Sequence, residues 1–353
     1  MRILPLLSLL GTGLFVPAAA AAENKLAPCR VVQTARVGGD GAFDYVFADE
    51  AGRRLYVPRG NRVTVFDLDS LQPAGEIPDA KSVHGVTVDP KSRHGFSSSN
   101  PVLMWDTRTL AVRKTIPVEG APDAIHFDAA TQRVFVLSHR APHATVLDAR
   151  DGSLLGTMDL GGMPEQAVSD GAGRVFIDIE DKDKVAVVDA RTLKVTANYD
   201  LAGKGGTPAG LAIDLKHRLL FACCRAPATM VVLGLDDGKI LAALPIGAGT
   251  DGAAFNAATG EAFSSNRDGT LTVVKVGGPA NFEVTQNVAT MPGAKTCAFD
   301  ARTGRVLLIA AEYGPPPAPA APTGGGQREA PTKKAAARGP MVPGSFTILA
   351  VGR

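Results

Sequence analysis

The stretch VSDGAGRVFIDIEDKDKVAVVD, residues 168–189, decides the architecture of this chain. It holds two short apolar runs, Val-Phe-Ile-Asp-Ile and Val-Ala-Val-Val-Asp, separated by a charged break. Asp170 stands in the turn before the first run, and Arg174 opens that run. Runs of this length, rich in valine and bounded by Gly and Asp, read as β-strands.

The same unit recurs along the chain. An acidic or amide turn residue, followed four or five positions later by Arg or Glu and an apolar strand, occurs at Asp49 (DEAGRRLYV), Asp89 (DPKSRHGFS), Asp128 (DAATQRVFV) and Asp170 (DGAGRVFI). It recurs at Asp214 (DLKHRLLFA), Asn256 (NAATGEAFS) and Asp300 (DARTGRVLLI). A second aspartate closes the next strand in four copies, at Asp67, Asp106, Asp148 and Asp189. Gly234, Lys275 and Ala350 take that place in the others. By subtraction, successive copies start 39 to 44 residues apart. A repeat of that length with four short strands is the pattern of a β-propeller blade. Seven copies predict a seven-bladed, all-β ring. The last copy lacks an outer strand, while residues 29–39 have that pattern and no copy of their own. The N-terminal strand is therefore expected to complete the last blade and fasten the ring.

Repeats of the form apolar-D-x-x-x-x-R-hydrophobic-V, then V-x-V-x-D-x-x-T, as in LYVPRGNRVTVFD (residues 55–67) and VAVVDART (residues 185–192), resemble the YVTN-type propeller family of exported bacterial proteins, the YncE-like group. The resemblance covers essentially the whole chain after residue 22. It implies a seven-bladed propeller in the periplasm or outside the cell, with roles mostly in binding.

The chain ends carry separate signals. Arg2, an apolar run over residues 3–16 and small residues at 18–22 read as a secretory signal peptide over residues 1–22. The apolar run is too short to span a bilayer, which needs about 20 residues. Cys29 lies too far past that run, and behind a proline, for lipid attachment. Residues 23–353 then form one propeller domain. Residues 314–344, rich in Pro, Ala and Gly and carrying Lys333, Lys334 and Arg338, interrupt the last blade and are expected to be a disordered loop. A solvated tether or a partner-docking lid are the two readings of it. Of the four cysteines, adjacent Cys223 and Cys224 fit either two reduced thiols on opposite faces of one strand or a strained vicinal disulfide.

In a propeller, loops entering the inner strand and loops leaving the second strand share one face. Binding sites gather at that mouth, because loops on a rigid scaffold converge there. Residues just before the inner strands are Asp44, His84, Asp123, Glu165, Asp251 and Lys295, with Pro208 and Ala209 in the fifth blade. Those after the second strands are Arg59, Asn100, His139, Glu180, Arg225, Asn266 and Glu312. Carboxylates gathered in one place need a cation, a proton or a basic partner. Asp44, His84, Asp123 and Glu165 are the candidate metal ligands, for an oxygen-preferring ion such as Ca²⁺ or, with histidine, a transition metal. Lys295, Arg59 and Arg225 offer the alternative of neutralising the acids directly.

Other features read as structural. Trp105 lies in a strand and is expected to pack, and His94 and His217 lie in far-face turns, where solvation is expected. No G-x-S-x-G elbow is present, and residues 203–207 lack the strand-to-helix setting of a phosphate loop. The expected function is a non-catalytic module, monomeric, binding a small molecule or an exported protein. A metal-assisted enzyme of the lactonase or lyase kind is the alternative. A nucleic-acid partner is disfavoured by the net charge of +2, since phosphate binding needs a basic face.

Overall fold

A computed structural model describes residues 26–316 and 339–353. Residues 1–25, which include the expected signal peptide over residues 1–22, and residues 317–338, which include Lys333, Lys334 and Arg338 of the expected loop, lie outside the described residues. The described chain forms seven four-stranded antiparallel sheets. Their inner strands are Phe47–Asp49, Val86–Asp89, Pro122–Asp128, Pro164–Ser169, Pro208–Asp214, Thr250–Asn256 and Cys297–Asp300. Each packs against the next around a closed circle, so the molecule is a seven-bladed β-propeller.

The N-terminal strand closes the ring, as its pattern predicts. Arg30–Arg36 pairs antiparallel with Thr347–Gly352, in the register Arg36↔Thr347 to Arg30↔Gly352, and becomes the outer strand of blade 7. The first and last strands of the described chain thus share one sheet. The insertion in that blade is tied at its base, where Gly314 N–H donates to Pro340 O (2.8 Å) and Val342 N–H to Glu312 O (2.8 Å).

The turn aspartates that anchor the repeat cap their turns. Asp170 accepts from the N–H groups of Ala172 and Arg174 (2.8 and 3.0 Å), and Asp89 from Lys91 and Ser92 (2.9 and 3.2 Å). Asn256 does the same with Ala258 and Thr259, which explains why an amide can replace the acid. The repeat arginine does more than mark the turn. Arg54 donates to the carbonyls of Thr107 and Arg108 in blade 2, Arg133 to those of Ala190 and Arg191 in blade 4, and Arg174 to Asp236 in blade 5. In each case it ties a blade to the following one. In blade 2 His94 has that place, with Nδ1 3.1 Å from Ala149 O, and His217 Nδ1 lies 2.6 Å from Asp214. Both far-face histidines are therefore engaged by the protein and do not stand free in solvent, because the turn acid and the neighbouring blade's carbonyl lie within reach.

The apolar residues form one cluster between each pair of adjacent blades, with no single central core. The third residue of each second strand reaches into the following interface: Tyr56, Phe96, Phe135, Phe176, Phe221, Phe263 and, in blade 7, Leu307. All are essentially inaccessible. Each such side chain contributes roughly 1.5–3 kcal/mol by leaving water, so this repeated position is one recurrent contributor to the packing of each blade on the next. Trp105 is buried against Tyr56 (ring centroids 5.9 Å) and covers Gly95, where any side chain would collide with its ring. The four cysteines are buried and unpaired. Cys223 faces the interface of blades 5 and 6, and Cys224 that of blades 4 and 5.

Candidate functional site: a ring of alternating charges

The inner strands bring Asp44, His84, Asp123, Glu165, Asp251 and Lys295 to one end of the channel. Antiparallel pairing returns the ends of the second strands to the same level, as in Pro122↔Ser138, Pro164↔Ile179 and Thr250↔Asn266. That register sets His139, Glu180 and Arg225 beside the first group. The side chains then meet in a fixed order. Asp44 Oδ2 lies 2.9 Å from His84 Nδ1, which lies 3.3 Å from Asp123 Oδ1. Asp123 Oδ2 lies 3.4 Å from His139 Nε2, which lies 3.7 Å from Glu165 Oε1. Glu165 Oε1 lies 3.7 Å from the Arg225 guanidinium, which also pairs with Asp251. Asp251 pairs with Lys295, and Lys295 Nζ returns to Asp44 Oδ1 at 3.0 Å. Four acids and four bases alternate in a closed circle, and every blade contributes at least one of them.

Two further groups attach to the circle. Glu180 binds Arg225 (3.0 Å). Tyr45 donates its hydroxyl to Glu165 Oε2. Below the ring, Gln166 bridges three blades: its Oε1 accepts from Leu211 N–H (3.0 Å) and Ala253 N–H (3.1 Å). It borders a channel cavity of about 300 Å³ lined by Phe47, Val168, Ile213, Phe255 and Phe299. The inner strands approach closely here. A Cβ on Gly252 would stand 2.9 Å from Cys297 N, so only glycine fits.

Electrostatics divide the ring into two arcs. On one side Arg225 and Lys295 are deeply placed. Burial opposes both charges, but Asp251 and the other acids outweigh it and raise both pKa values. On the other side the cationic positions are imidazoles. The Asp44 hydrogen bond raises His84, and burial only partly offsets it. Burial pushes Asp44 up, yet His84 and Lys295 hold it below the usual carboxylate range. Asp123 is raised, chiefly by burial and by Asp44, despite His139 and His84. Glu165, only 4% exposed, is pushed up to about 10 by burial, its hydrogen bond with Glu180 and the charges of Asp251 and Asp123. Glu180 is lowered, chiefly by its hydrogen bond with Glu165 and by the Arg225 charge, against its burial.

Nine of the sequence-derived mouth residues thus converge. Four do not. Arg59 is buried outside the ring, stacked 3.8 Å over the Phe346 ring and donating to the carbonyls of Gly38 and Asp40. The segment that leads from the closing strand into blade 1 covers it, and the repeat holds no trace of that cover. Asn266 is fully buried and binds Ser264, Thr270 and Thr272 within its own blade. Glu312 is exposed and 3.6 Å from Arg36 at the edge of blade 7. Asn100 is exposed, and its N–H donates to Lys81 O. Sequence reasoning missed Tyr45 and Gln166. Each directly follows a residue that it singled out, and an inner strand that faces a narrow channel can place consecutive residues in it.

No family model matches the chain, and no curated protein sequence matches it. Among solved structures, a chain from a crystal structure of the mitotic checkpoint complex superposes with a TM-score of 0.70 at 11% identity, covering 85% of this chain and 95% of that one. At that identity the similarity is one of fold, the seven-bladed propeller.

Proposed function

We propose that this chain is an exported propeller of the YVTN type that acts as a non-catalytic binding module, periplasmic or secreted, through the mouth of its channel. The carrying observation is the closed ring of alternating charges. Its acids and bases already neutralise one another, so a ligand binds best by supplying both signs: a small zwitterion, or the paired charged side chains of an exported protein. The propeller fold is compatible with protein partners, and no described helix is long and apolar enough to cross a membrane. Nucleic acid fits poorly, because the ring presents as many acids as bases and a phosphate chain needs a basic face.

The test is a thermal-shift screen of the purified chain against amino acids, short peptides and dicarboxylates. At least one zwitterion is expected to raise the melting temperature of the wild type and to leave Arg225→Gln unmoved. No shift with any compound would remove this reading. A second reading, a metal-assisted enzyme of the lactonase or lyase kind, is favoured by the two His/carboxylate triads that share Asp123. Absence of turnover on a lactone panel in the presence of Zn²⁺, Mn²⁺ and Ca²⁺ would remove it.

A further inference from the structure

The histidine arc of the ring has the internal geometry of a two-ion site. Donor atoms of Asp44, His84 and Asp123 lie within 4.8 Å of one another, as do those of Asp123, His139 and Glu165. Asp123 belongs to both groups and gives each a different oxygen, Oδ1 towards His84 and Oδ2 towards His139. A carboxylate that presents its two oxygens to two neighbouring centres is placed as a bridge.

The outer carboxylates are set for the same purpose. Lys295 holds Asp44 Oδ1, which leaves Oδ2 facing His84. Tyr45 holds Glu165 Oε2, which leaves Oε1 facing His139, with Arg225 3.7 Å away. Partners of this kind orient metal ligands, and their loss commonly weakens affinity about 10–100-fold. His139 Nε2 is itself buried and makes no hydrogen bond, although two carboxylate oxygens lie 3.4 and 3.7 Å away. Those separations are long for hydrogen bonds. They suit ligands of one ion, since donors about 2.1 Å from a tetrahedral metal stand about 3.4 Å apart.

We propose that this arc binds a pair of divalent transition-metal ions of the Zn²⁺, Mn²⁺ or Co²⁺ class, bridged by Asp123. One ion is held by Asp44 and His84 and the other by His139 and Glu165. The inference rests on the reading of the mouth as the binding site. Imidazole with carboxylate selects this class over Ca²⁺, which takes oxygen donors alone. The opposite arc has no such capacity, because Arg225 and Lys295 fill the spaces between its acids. Entry is open, since the side chains of His84 and His139 are 41% and 33% exposed.

The test strips the full chain of metal and titrates it with Co²⁺, read by calorimetry and by the visible d–d absorption, with Zn²⁺ as competitor. Two ions per chain are expected. His84→Gln and His139→Gln should each keep one, and Asp123→Asn should keep neither. Tyr45→Phe should weaken uptake about 10–100-fold. A stoichiometry of none or one in the wild type, or two in Asp123→Asn, would overturn the proposal. If Asp123→Asn does not fold, the two histidine variants, altered at accessible side chains, decide alone. A zwitterion shift that persists in the metal-stripped chain, with no Co²⁺ bound, sinks this inference and leaves the binding module standing.

Discussion

The two ends of the propeller are built on different logics. On the far face one device is repeated: an Asp or Asn turn and an arginine that ties its blade to the next, as with Arg54, Arg133 and Arg174. At the mouth each blade presents its own group or pair of groups, with no one residue type repeated from blade to blade. The order Asp44, His84, Asp123, His139, Glu165, Arg225, Asp251, Lys295 does not follow the repeat, yet it alternates acid and base and closes into a circle. Within a repeat protein, what recurs serves the stacking of units. What departs from the repeat, and is nevertheless mutually arranged, marks the site. Glu165 and Glu180 show this within one blade, because the repeat accounts for Asp170, Arg174 and Asp189 and requires neither glutamate.

The comparison can be broken most strongly at Asp251. This acid is 2% exposed and is shared by Arg225 and Lys295. Asp251→Ala leaves two cations facing one another, and removing one partner from a buried ion pair costs about 3–5 kcal/mol. Urea denaturation should show a loss of that size. A loss below about 1 kcal/mol would mean that the ring is solvated and loosely held.

Asp178 tests the other side of the rule, a departure from the repeat that does not join the ring. It is fully buried, neither oxygen has a hydrogen-bond partner, and burial raises its pKa well above the carboxylate range. Ser98 and Ser265 occupy the matching position, the fifth residue from the start of the second strand. There they donate to carbonyls of the following blade, Asp123 O and Ala294 O. Asp178→Ser is therefore expected to stabilise the protein by about 1–3 kcal/mol at pH 7, the cost of an unsatisfied buried polar group. The sign with pH follows from linkage. The unfolded carboxyl titrates near about 3.9 and the folded one well above it, so the unfolded state loses the proton first as pH rises. The wild type is penalised progressively above pH ~4, and the gain from the substitution should shrink as pH falls towards that value. A gain that is constant between pH 4 and 8 would contradict a protonated Asp178.

On the far face, Arg133→Ala removes the donor to two carbonyls of blade 4. A loss of about 1–2 kcal/mol in chemical denaturation is expected, with the affinity of the mouth for Co²⁺ unchanged. A change in affinity would show that the two ends are coupled. The smallest effect belongs to Arg59→Ala, which removes a cation stacked on Phe346 and should cost about 0.5–2 kcal/mol with no change in ligand or metal binding. Lost binding in that variant would return Arg59 to the site.

The sequence by itself determined the number of blades, the placement of the turn residues and the closure by a strand within residues 29–39. These depend on local rules: an Asx turn, a short apolar strand and a repeat of constant length. It also supplied most of the ring members, because strand order alone says which residues come to the mouth. Only the tertiary structure decided which of them touch. Asn100 lies at the same repeat position as His139 and Arg225, yet it stays at the rim, while Arg59, one residue earlier in its repeat, is sealed under the closing segment. Tyr45 and Gln166 were marked only by their place directly after Asp44 and Glu165. The physical reason is that a charge pair is set by short distances between side chains that lie from 16 residues apart in sequence, as Asp123 and His139, to 251 apart, as Asp44 and Lys295, and no local pattern encodes such distances. Alternation of acid and base around the axis exists only once the seven blades have closed.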